Sequence, residues 1–579
     1  MAPLRSWSLA LPLGLCALLA CGDDGGDGGT TAASATEGSA SESASASASA
    51  SAGSGSASAG ETTGGGGSGG TDTGAPEGVI PPILGVPNVD DDDEDGKADW
   101  NQVPFASDND LTTFALPAWY LEGLADGDKV ELTLAGEVDQ VRLWRGEDVL
   151  LGDAGGSTPT TATLSAADAA ALELRVEWAD FMRGATLTIR HLGSGGSELA
   201  VDEVELWSAP MLVNHHLQPA EYVWGVPVQS NGSMINEFKK VLGDRFISIS
   251  SMDVWIQDEL EWALATAPGK RLNIAVDSIR DRPLDAFVKG LKAPDIQPMT
   301  WGVKGTQTTE DKFGNLEVTP PHTAGGVAYP HGRIYYGKGA TCGPNQILTD
   351  HLARQKVQRP IEVNTCWLCV GHVDEYISFV PDPSSPKGFK FLIADVDAAY
   401  ELLDALPGNT AIPRYGDSHG YATIGELVGD NTLRALNQDI QADYIDPVRE
   451  QLKAELDLDE SDIVRIPGIF ERIWGCSYKD NGVAALIPGM LNLVVVNVED
   501  GPLRIFVSDP FMRPNGVDQA SDPLIANFKA ALPDEYEIHF VDDWYTYHVA
   551  IGEVHCGTNV MRTPTGAWWE DSRHLFTQP

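Results

Sequence analysis

Positive charge is scarce in this chain. Its 579 residues carry 38 Lys and Arg against 84 Asp and Glu, which gives a formal net charge of −46. A surface of that sign repels phosphate backbones, so the composition disfavours nucleic acid as a partner. Two interpretations of the acidity remain open: solvation of the surface, and oxygen-rich sites that bind divalent cations.

Cysteine is scarce too. Seven cysteines in a chain of this length exclude a scaffold held together by disulfides. Cys366 and Cys369 have the spacing of a redox or zinc motif, yet no second such pair follows and the surrounding run is apolar. We interpret them as buried thiols in a strand, with a disulfide or a metal site as the alternative. The pairing of Cys342 and Cys476 stays open.

The apolar run at residues 9–20 is too short to cross a bilayer, which takes about 20 residues, and suits the core of a signal peptide. Residues 18–21 resemble the bacterial lipobox, in which cleavage leaves a lipidated cysteine, here Cys21. Gly22 in place of Asp resembles the lipoproteins of the outer membrane. We therefore expect a signal peptide at 1–20 and an exported lipoprotein of the outer membrane or cell surface. An ordinary signal peptide is the alternative.

Residues 21–76 are mostly Gly, Ser, Ala and Thr and lack the apolar side chains that a core needs, so we predict a flexible tether. Order is predicted to begin at Val79, with an edge strand at 81–86. The acidic run at 88–96 suits a calcium loop, although the ligand spacing of an EF-hand is missing. A solvated charge run is the alternative.

Two regions with different patterns of predicted secondary structure follow. Residues 79–208 are predicted to form a β-sandwich, with strands at 129–134, 140–144, 171–178, 185–191 and 202–207. From residue 209 to 579 the pattern is that of an α/β domain, with helices at 233–242 and 448–456 and buried strands at 391–394 and 491–496. The many short strand–helix–strand pieces suggest a repeated module.

Cys556 stands out in the second region because glycines flank it, at Gly552 and Gly557. Glycine lets the backbone bend and lets a substrate approach the sulfur closely. A thiol also needs an adjacent base or a low pKa to act as a nucleophile. His372 and Asp374 are two residues apart, so an extended segment would place both on one side and the carboxylate would hold the imidazole in one tautomer.

Asp258 adds a second carboxylate to this set. The thiol and the imidazole provide a nucleophile and a proton donor, and one carboxylate is enough to orient the imidazole. Two carboxylates that face one pocket would instead clamp a planar cation with several N–H donors, such as the guanidinium of arginine. Attack of the sulfur on its central carbon, with ammonia leaving, is deimination.

These motifs resemble those of the protein-arginine deiminases. W-I-Q-D-E-L-E at 255–261, G-H-V-D-E at 371–375, G-E-V-H-C-G-T-N at 552–559, the run at 312–318 and the pair Trp568 and Trp569 stand in the family's order. The resemblance covers residues 209–579 and implies a five-bladed α/β propeller, the pentein fold, whose blade is the suspected module. It implies an immunoglobulin-like fold for 79–208 at lower similarity.

The resemblance also assigns roles. Cys556 would form a covalent amidino-thioether, His372 would protonate the departing ammonia and then activate water, and Asp258 and Asp374 would hold the guanidinium. Further substrate contacts would come from Trp255, Arg280, Arg282 and Val370, with Arg282 at the position that binds a peptide carbonyl. The implied substrates are arginine-containing proteins or peptides, and a homodimer is among the assemblies that the resemblance allows.

Calcium (Ca2+) is the cofactor that the resemblance implies, because vertebrate members require it. Its ligands would be oxygen atoms from two groups of residues that interleave with Asp258. The first group is Gln257, Glu261, Glu317 and the carbonyls of Phe313 and Leu316. The second is Glu259, Asp277, Ser278 and Asp281, the last standing where the family usually has Asn.

One departure from the family lies at Ala550 and Ile551, where vertebrate members have Arg and His near the substrate entrance, so the peptide preference stays open. Related pentein enzymes that act on free arginine or agmatine use similar motifs and provide a first alternative function. A non-catalytic surface protein that binds calcium or mediates adhesion is a second alternative. The presence of all four residues with implied catalytic roles, Asp258, His372, Asp374 and Cys556, argues against this second alternative.

Overall fold

The structure is a computed structural model that describes residues 79–92, 97–102, 110–476, 482–498, 501–563 and 565–576. The predicted signal peptide and tether lie outside the described residues, as do positions 93–96 of the acidic run. Within the described ranges, no helix combines the length and the apolar character that crossing a membrane requires.

The first part of the chain, up to residue 208, is built mainly from strands. In chain order, the described strands and α-helices are β1 (Ile83–Gly85), β2 (Thr112–Ala115), α1 (Ala118–Glu122), β3 (Lys129–Gly136), β4 (Val141–Arg145), β5 (Asp148–Gly152), β6 (Thr161–Ser165), α2 (Ala166–Ala170), β7 (Glu173–Trp178), β8 (Gly184–Leu192) and β9 (Glu198–Ser208). All five strands predicted between 129 and 207 are confirmed within a few residues, and the predicted edge strand is β1.

These strands form two sheets around one core. One sheet has the order β1-β9-β8-β3-β6 and the other the order β2-β7-β4-β5. Alternate residues of β3, namely Val130, Leu132 and Leu134, are buried, as period-two alternation requires when one face of a strand packs inward. They pack with Leu143 of β4 and Val176 of β7 from the other sheet, so the two sheets face each other.

The second part mixes strands and helices. In chain order, its described elements are β10 (Leu212–Val213), β11 (Ala220–Gly225), α3 (Gly232–Leu242), β12 (Phe246–Ser248), α4 (Ile256–Glu259), β13 (Leu260–Ala267), β14 (Lys270–Asp277), α5 (Asp285–Lys289), β15 (Ile296–Met299), β16 (Leu316–Val318), β17 (His322–Ala324), β18 (Val327–Tyr329), β19 (Ile334–Gly337), α6 (Gln346–Arg354), β20 (Ile361–Val363), β21 (Ile377–Pro381), β22 (Phe389–Asp395), α7 (Val396–Asp404), α8 (Pro413–Ser418), α9 (Ile424–Val428), α10 (Asn431–Ile440), α11 (Asp446–Glu455), β23 (Ile463–Pro467), β24 (Phe470–Arg472), β25 (Val483–Ala485), β26 (Val494–Val495), β27 (Arg504–Ser508), α12 (Pro523–Ala530), β28 (Glu537–Val541), β29 (Thr558–Arg562) and α13 (Trp568–Asp571). The predicted helices and the strand at 391–394 are confirmed, whereas only Val494–Val495 of the predicted strand at 491–496 pairs.

One pairing pattern recurs in this part. A first strand pairs antiparallel with a second, which pairs parallel with a third. The pattern holds for β13-β14-β15, β16-β19-β20, β21-β22-β23, β26-β27-β28 and β29-β11-β12. At least one helix lies between the two parallel strands each time, because a parallel return needs a long crossover. The chain therefore repeats one β-β-α-β unit.

The segments that lead into the first strand of each unit occupy equivalent places in the repeat. Helix α4 leads into β13, and short turns at 313–315 and 373–375 lead into β16 and β21. Residues 489–493 precede β26, and residues 552–557 precede β29. Each of these segments carries at least one residue of the pocket described below.

The two parts of the chain pack directly on each other. Leu84 and Val86, at the end of β1 and just after it, share a core with Ile274 of β14 and Leu348 of α6. Phe181, in the turn after β7, belongs to the same core and meets the ring of His351 edge-on at 5.9 Å. The first part therefore supports the strands that carry α4 and its neighbours.

The prediction of buried thiols at Cys366 and Cys369 is wrong. Cys366 is bonded to Cys342, and Cys369 to Cys476, across 24 and 107 residues of sequence. Both cysteines lie in the loop between β20 and β21 rather than in a strand. Their partners come from other loops of the fold, which local apolar character could not reveal.

Candidate active site

Cys556, Asp374, His372 and Asp258 converge in the interior. Sγ of Cys556 lies 3.8 Å from Oδ2 of Asp374, and Nδ1 of His372 lies 4.0 Å from Oδ1 of the same carboxylate. The backbone N–H of Gln257, next to Asp258, donates to the carbonyl of Cys556 at 3.3 Å. All four residues are at most 4% exposed.

His372 and Asp374 do not share an extended segment as predicted. Residues Val373–Glu375 form a 3-10 turn that begins after His372. Oε1 of Glu375 accepts the backbone N–H groups of Gly371 and His372 at 3.0 and 2.8 Å. The predicted periodicity fails because this capping carboxylate stabilises a turn, and the turn rather than a strand brings the two side chains together.

Two polar atoms in this pocket have no hydrogen-bond partner. The carbonyl of Thr309 accepts from Nε2 of His372 at 2.8 Å, so a neutral ring presents the lone pair of Nδ1. Nδ1 of His372 and Oδ1 of Asp374 are both buried and unpartnered. An unsatisfied buried polar atom costs about 1–3 kcal/mol, so such atoms mark a place where a ligand with N–H donors fits.

Gly314 leaves the space for such a ligand. A Cβ atom on this residue would lie 2.5 Å from Nδ1 of His372 and 2.9 Å from Oδ2 of Asp374. Any other residue would fill the gap beside both functional groups, so the glycine of the 313–315 turn is required for an open slot.

Asn492 is a pocket residue that sequence reasoning missed. Its Oδ1 accepts the backbone N–H groups of His555 and Cys556 at 3.0 and 3.3 Å, and its Nδ2 lies 3.3 Å from Sγ of Cys556. One amide thus holds the Cys556 loop and donates to its sulfur. The available sequence signal was a single amide within the apolar run 490–496.

Burial and two carboxylates determine the electrostatics of the pocket. Burial and the charges of Asp374 and Asp258 raise the pKa of Cys556 well above its ordinary value. Burial lowers the pKa of His372, although the same two carboxylates oppose that shift. Without another cation, the pocket favours a neutral thiol over a thiolate, and a positive charge placed between the carboxylates would oppose that effect.

Lys312 is a second residue that the sequence did not single out for a role. Its Nζ lies 3.8 Å from Oδ2 of Asp258, and the side chain is buried. The pocket therefore contains an ammonium group that partly balances its carboxylates. The one indication in the sequence was its place at the start of the 312–318 run.

Trp255 and Val370, for which the resemblance implies a place in the pocket walls, are both buried. The indole of Trp255 meets the ring of Tyr547 edge-on at 5.3 Å. A Cβ on Gly552 would lie 2.4 Å from that indole and 3.4 Å from Sγ of Cys556. The indole therefore packs tightly against the loop of Cys556.

The two predicted substrate arginines differ in position. Arg280 is fully buried, and its guanidinium donates to Asp253 at 2.9 Å, to Glu259 at 3.2 Å and to the carbonyl of Trp255 at 3.2 Å. Its contacts support the segment that carries Trp255, which makes it a positioning residue. Arg282 is partly exposed, with its Nε 3.5 Å from Asp253.

Residues of the first predicted group of calcium ligands lie close together in the structure. Nε2 of Gln257 donates to Glu261 at 2.7 Å and to the carbonyl of Phe313 at 3.2 Å. Burial and the nearby charge of Glu317 raise the pKa of Glu261 to about 8. Leu316 directly precedes Glu317 on β16. Carboxylates that repel each other in the interior are typical of a cation site.

The second predicted group is gathered in part. Carboxylate oxygens of Glu259, Asp277 and Asp285 lie within 4.8 Å of one another. Ser278 contributes a backbone N–H to the carbonyl of Glu259 at 2.9 Å, whereas Asp281 is exposed. Lys304 lies among the three carboxylates, with its Nζ 2.8 Å from Asp277 and also paired with Asp285. An internal ammonium group therefore already compensates this group.

Comparisons with known proteins agree with this geometry. A family model described as protein-arginine deiminase (PAD) matches residues 198–570. Human protein-arginine deiminase type-4 is 34% identical over 429 residues, which cover 67% of this chain and 60% of the relative. Mouse type-1 is 36% identical over 342 residues, covering 55% and 47%, and human type-3 is 35% identical over 346 residues, covering 55% and 48%. The chain spans about 60% or less of these relatives.

Proposed function

The chain belongs to the protein-arginine deiminase family, and from that premise we propose that it hydrolyses peptidyl-arginine to peptidyl-citrulline and ammonia. One observation carries the proposal. The unpartnered Nδ1 of His372 and Oδ1 of Asp374 face each other across 4.0 Å, next to the sulfur of Cys556. A flat group that is rich in N–H donors satisfies the carboxylate and brings positive charge to the thiol.

The chemistry follows from that placement. Burial and the charges of Asp374 and Asp258 raise the pKa of Cys556, and a guanidinium between the two carboxylates offsets those charges, so the thiol can pass its proton to Nδ1 of His372. The sulfur then bonds to the central guanidinium carbon, and the C–N bond to one terminal nitrogen breaks. His372 supplies the proton with which that nitrogen leaves as ammonia. Water, deprotonated by His372, then displaces the sulfur and leaves the urea oxygen of citrulline.

The architecture proposed with this function is that of the family. We propose that the five repeated sheets are the blades of an α/β propeller, and that the two facing sheets before them are immunoglobulin-like. The domain boundaries are then 1–20, 21–76, 79–208 and 209–579. The recurrent antiparallel-then-parallel pairing supports the blades.

Calcium fits the first group of ligands. Gln257, Glu261, Glu317 and the carbonyls of Phe313 and Leu316 offer the oxygen donors that calcium prefers. When bound, calcium would neutralise the buried carboxylates and fix the segment 257–261, which carries Asp258. At the second group, calcium would have to displace the ammonium of Lys304.

Export is also proposed. The disulfides Cys342–Cys366 and Cys369–Cys476 are typical of proteins in oxidising compartments, which supports export. The lipid anchor on Cys21 is proposed from the lipobox-like residues 18–21. Incorporation of labelled fatty acid into the wild type and not into Cys21→Ala tests the anchor. Equal labelling of both proteins contradicts it.

Citrulline release tests the function. The purified protein should convert a blocked arginine amide in the presence of calcium, more slowly after chelation, and Cys556→Ser and Asp258→Asn should abolish the reaction. The matched control is Asp244→Asn, which changes an exposed aspartate and should keep wild-type rates. Faster turnover of free arginine than of the blocked amide would favour the free-amino-acid alternative. No release from the wild type would contradict the enzyme and leave a calcium-binding surface protein.

A further inference from the structure

Two histidines face one carboxylate beside the first calcium group. Nε2 of His216 lies 3.4 Å from Oε2 of Glu317, and Nε2 of His555 lies 3.6 Å from Oε1 of the same residue. The three ligand atoms fall within 4.8 Å of one another, and all three residues are buried or nearly so. Such a set differs from the oxygen-only donors that calcium prefers.

Both imidazoles are oriented by their other nitrogen. Nδ1 of His216 meets the carbonyl of Phe379 at 3.0 Å, and Nδ1 of His555 meets Oδ2 of Asp374 at 2.9 Å. A carbonyl accepts only, so Nδ1 of His216 carries a proton. The carboxylate favours the same tautomer for His555. In neutral rings both Nε2 lone pairs then point at Glu317, as in histidines that bind a metal with a carbonyl or carboxylate behind them.

The spacing suits a tetrahedral ion. Zinc binds His nitrogen and carboxylate oxygen at 2.0–2.2 Å, which places neighbouring ligand atoms of a tetrahedron about 3.3–3.6 Å apart. The two imidazole nitrogens lie 3.4 and 3.6 Å from the two different oxygens of Glu317, close to that edge length, and one ligand atom from each of the three residues lies within 4.8 Å of the others. Lone-pair atoms at such distances repel each other unless a proton or a cation lies between them. Three protein ligands leave the fourth position to water.

The surrounding charge favours a dication. The carboxylates of Glu261, Glu317 and Asp374 surround the imidazole of His555 with negative charge, and Oδ2 of Asp374 accepts from its Nδ1 at 2.9 Å. The buried guanidinium of Arg562 adds one positive charge close to Glu261 and Glu317. When the carboxylates are ionised and the imidazoles neutral, three negative charges and one positive charge leave a deficit that one divalent ion balances.

We propose that His216, Glu317 and His555 form a site for a borderline divalent metal such as Zn2+. Imidazole ligands favour Zn2+ and its transition-metal neighbours over calcium. Because Glu317 also belongs to the first calcium group, the two ions compete. Because Nδ1 of His555 is bonded to Asp374, an ion bound to Nε2 of His555 also changes the charge around the carboxylate that is proposed to bind the guanidinium. This regulatory consequence rests on the proposed function, whereas the binding itself does not.

Cobalt provides a direct probe, because tetrahedral Co2+ absorbs visible light far more strongly than octahedral Co2+. The purified full chain, stripped with a chelator and dialysed, should bind one equivalent of Co2+ with a tetrahedral spectrum, and Zn2+ should displace it. Asp374→Asn should weaken binding by about 10- to 100-fold as the loss of an outer partner. His216→Asn should weaken it further. Calcium in excess should lower the apparent affinity for Co2+.

The matched control is His574→Asn, which removes an exposed histidine that meets the carbonyl of Ala328 and should leave the spectrum unchanged. If His216→Asn does not fold, His555→Gln and the zinc-induced rise in the Tm of the wild type replace it. A wild type without the tetrahedral band overturns the proposal, and so does a band that survives both histidine substitutions. The spectrum is read without substrate, so a protein that binds cobalt but releases no citrulline refutes the proposed function and keeps the metal site.

Discussion

Replacing Asn492 should separate two roles that one amide performs at Cys556. Its oxygen accepts the backbone N–H groups of His555 and Cys556, and its nitrogen donates to the sulfur at 3.3 Å. The residue is buried, so water does not readily replace it. The first role concerns the stability of the loop, and the second concerns the thiolate.

Asn492→Ala removes both roles. The N–H of His555 keeps the backbone carbonyl of residue 492 as an acceptor at 3.4 Å, whereas the N–H of Cys556 loses the acceptor that Asn492 provides. A buried N–H without an acceptor costs about 1–3 kcal/mol, so the free energy of unfolding should fall by about that amount. A hydrogen bond to a charged group contributes about 1.5–3 kcal/mol, so loss of the donor to the thiolate should lower kcat by roughly 10- to 160-fold.

Asn492→Asp removes only the donor. One carboxylate oxygen can still accept both N–H groups, so this variant should lose less stability than Asn492→Ala. The other oxygen places a third negative charge beside the sulfur, next to those of Asp374 and Asp258, and raises the pKa of Cys556 further. Asn492→Asp should therefore be the slower enzyme and the more stable of the two variants.

Three measurements check this reversal of order: urea unfolding, kcat for a blocked arginine amide, and the pH dependence of alkylation of Cys556. Asn492→Asp should shift the alkylation profile to higher pH relative to the wild type. If both variants unfold alike and share one kcat, the division of roles is refuted. If Asn492→Ala matches the wild type in alkylation, the amide does not stabilise the thiolate.

Three further substitutions test other contacts. Lys304→Met removes the ammonium from the second carboxylate group, so half-maximal activity should need roughly fivefold less calcium, the equivalent of one ion pair of about 1 kcal/mol; an unchanged calcium titration argues against calcium there. Gly552→Ala places a methyl group against the indole of Trp255 and should raise KM for a blocked arginine amide. An unchanged KM contradicts the proposal that this indole lines the substrate pocket. Burial, with the charges of Arg354 and Arg183, lowers the pKa of His351 to about 3, so the unfolded chain binds the proton first. The stability that its neutral form provides is present above about pH 6.5 and falls by about 1.4 kcal/mol per unit below it. His351→Phe should reduce that slope between pH 7.5 and 5.5 in chemical unfolding, and equal slopes refute the assignment.

The convergence of the four pocket residues could be predicted because each stands in a run with a chemical rationale. Cys556 lies between glycines, and His372 is two residues from Asp374. The prediction of their relation was nevertheless wrong in detail, since Glu375 caps a turn there. Local periodicity predicted that His372 and Asp374 lie close together, but it did not predict the turn that brings them together.

The missed residues are those whose partners are distant in sequence. Asn492 acts on residues 63 and 64 positions away. Cys369 pairs across 107 residues, and His216 reaches a carboxylate on β16. None of these relations leaves a periodic or compositional trace, because register between separate sheets decides them.

The repeated unit explains why distant residues meet at one pocket. Asp258, Gly314, Asp374, Asn492 and Cys556 all belong to segments that lead into the first strand of a unit, so the residues that meet at the pocket hold equivalent places in the repeat. The unit that carries the nucleophile is assembled from both ends of this part, because β29 pairs with β11, for example Thr558 with Gly225. That pairing must close a loop of more than 300 residues before the Cys556 loop is held, at a cost in chain entropy that grows slowly with length. The position of Cys556 therefore depends on the pairing of β29 with β11, which joins the two ends of the repeat. Helix α4, in contrast, adjoins the hairpin of β13 and β14 and can be positioned by local contacts.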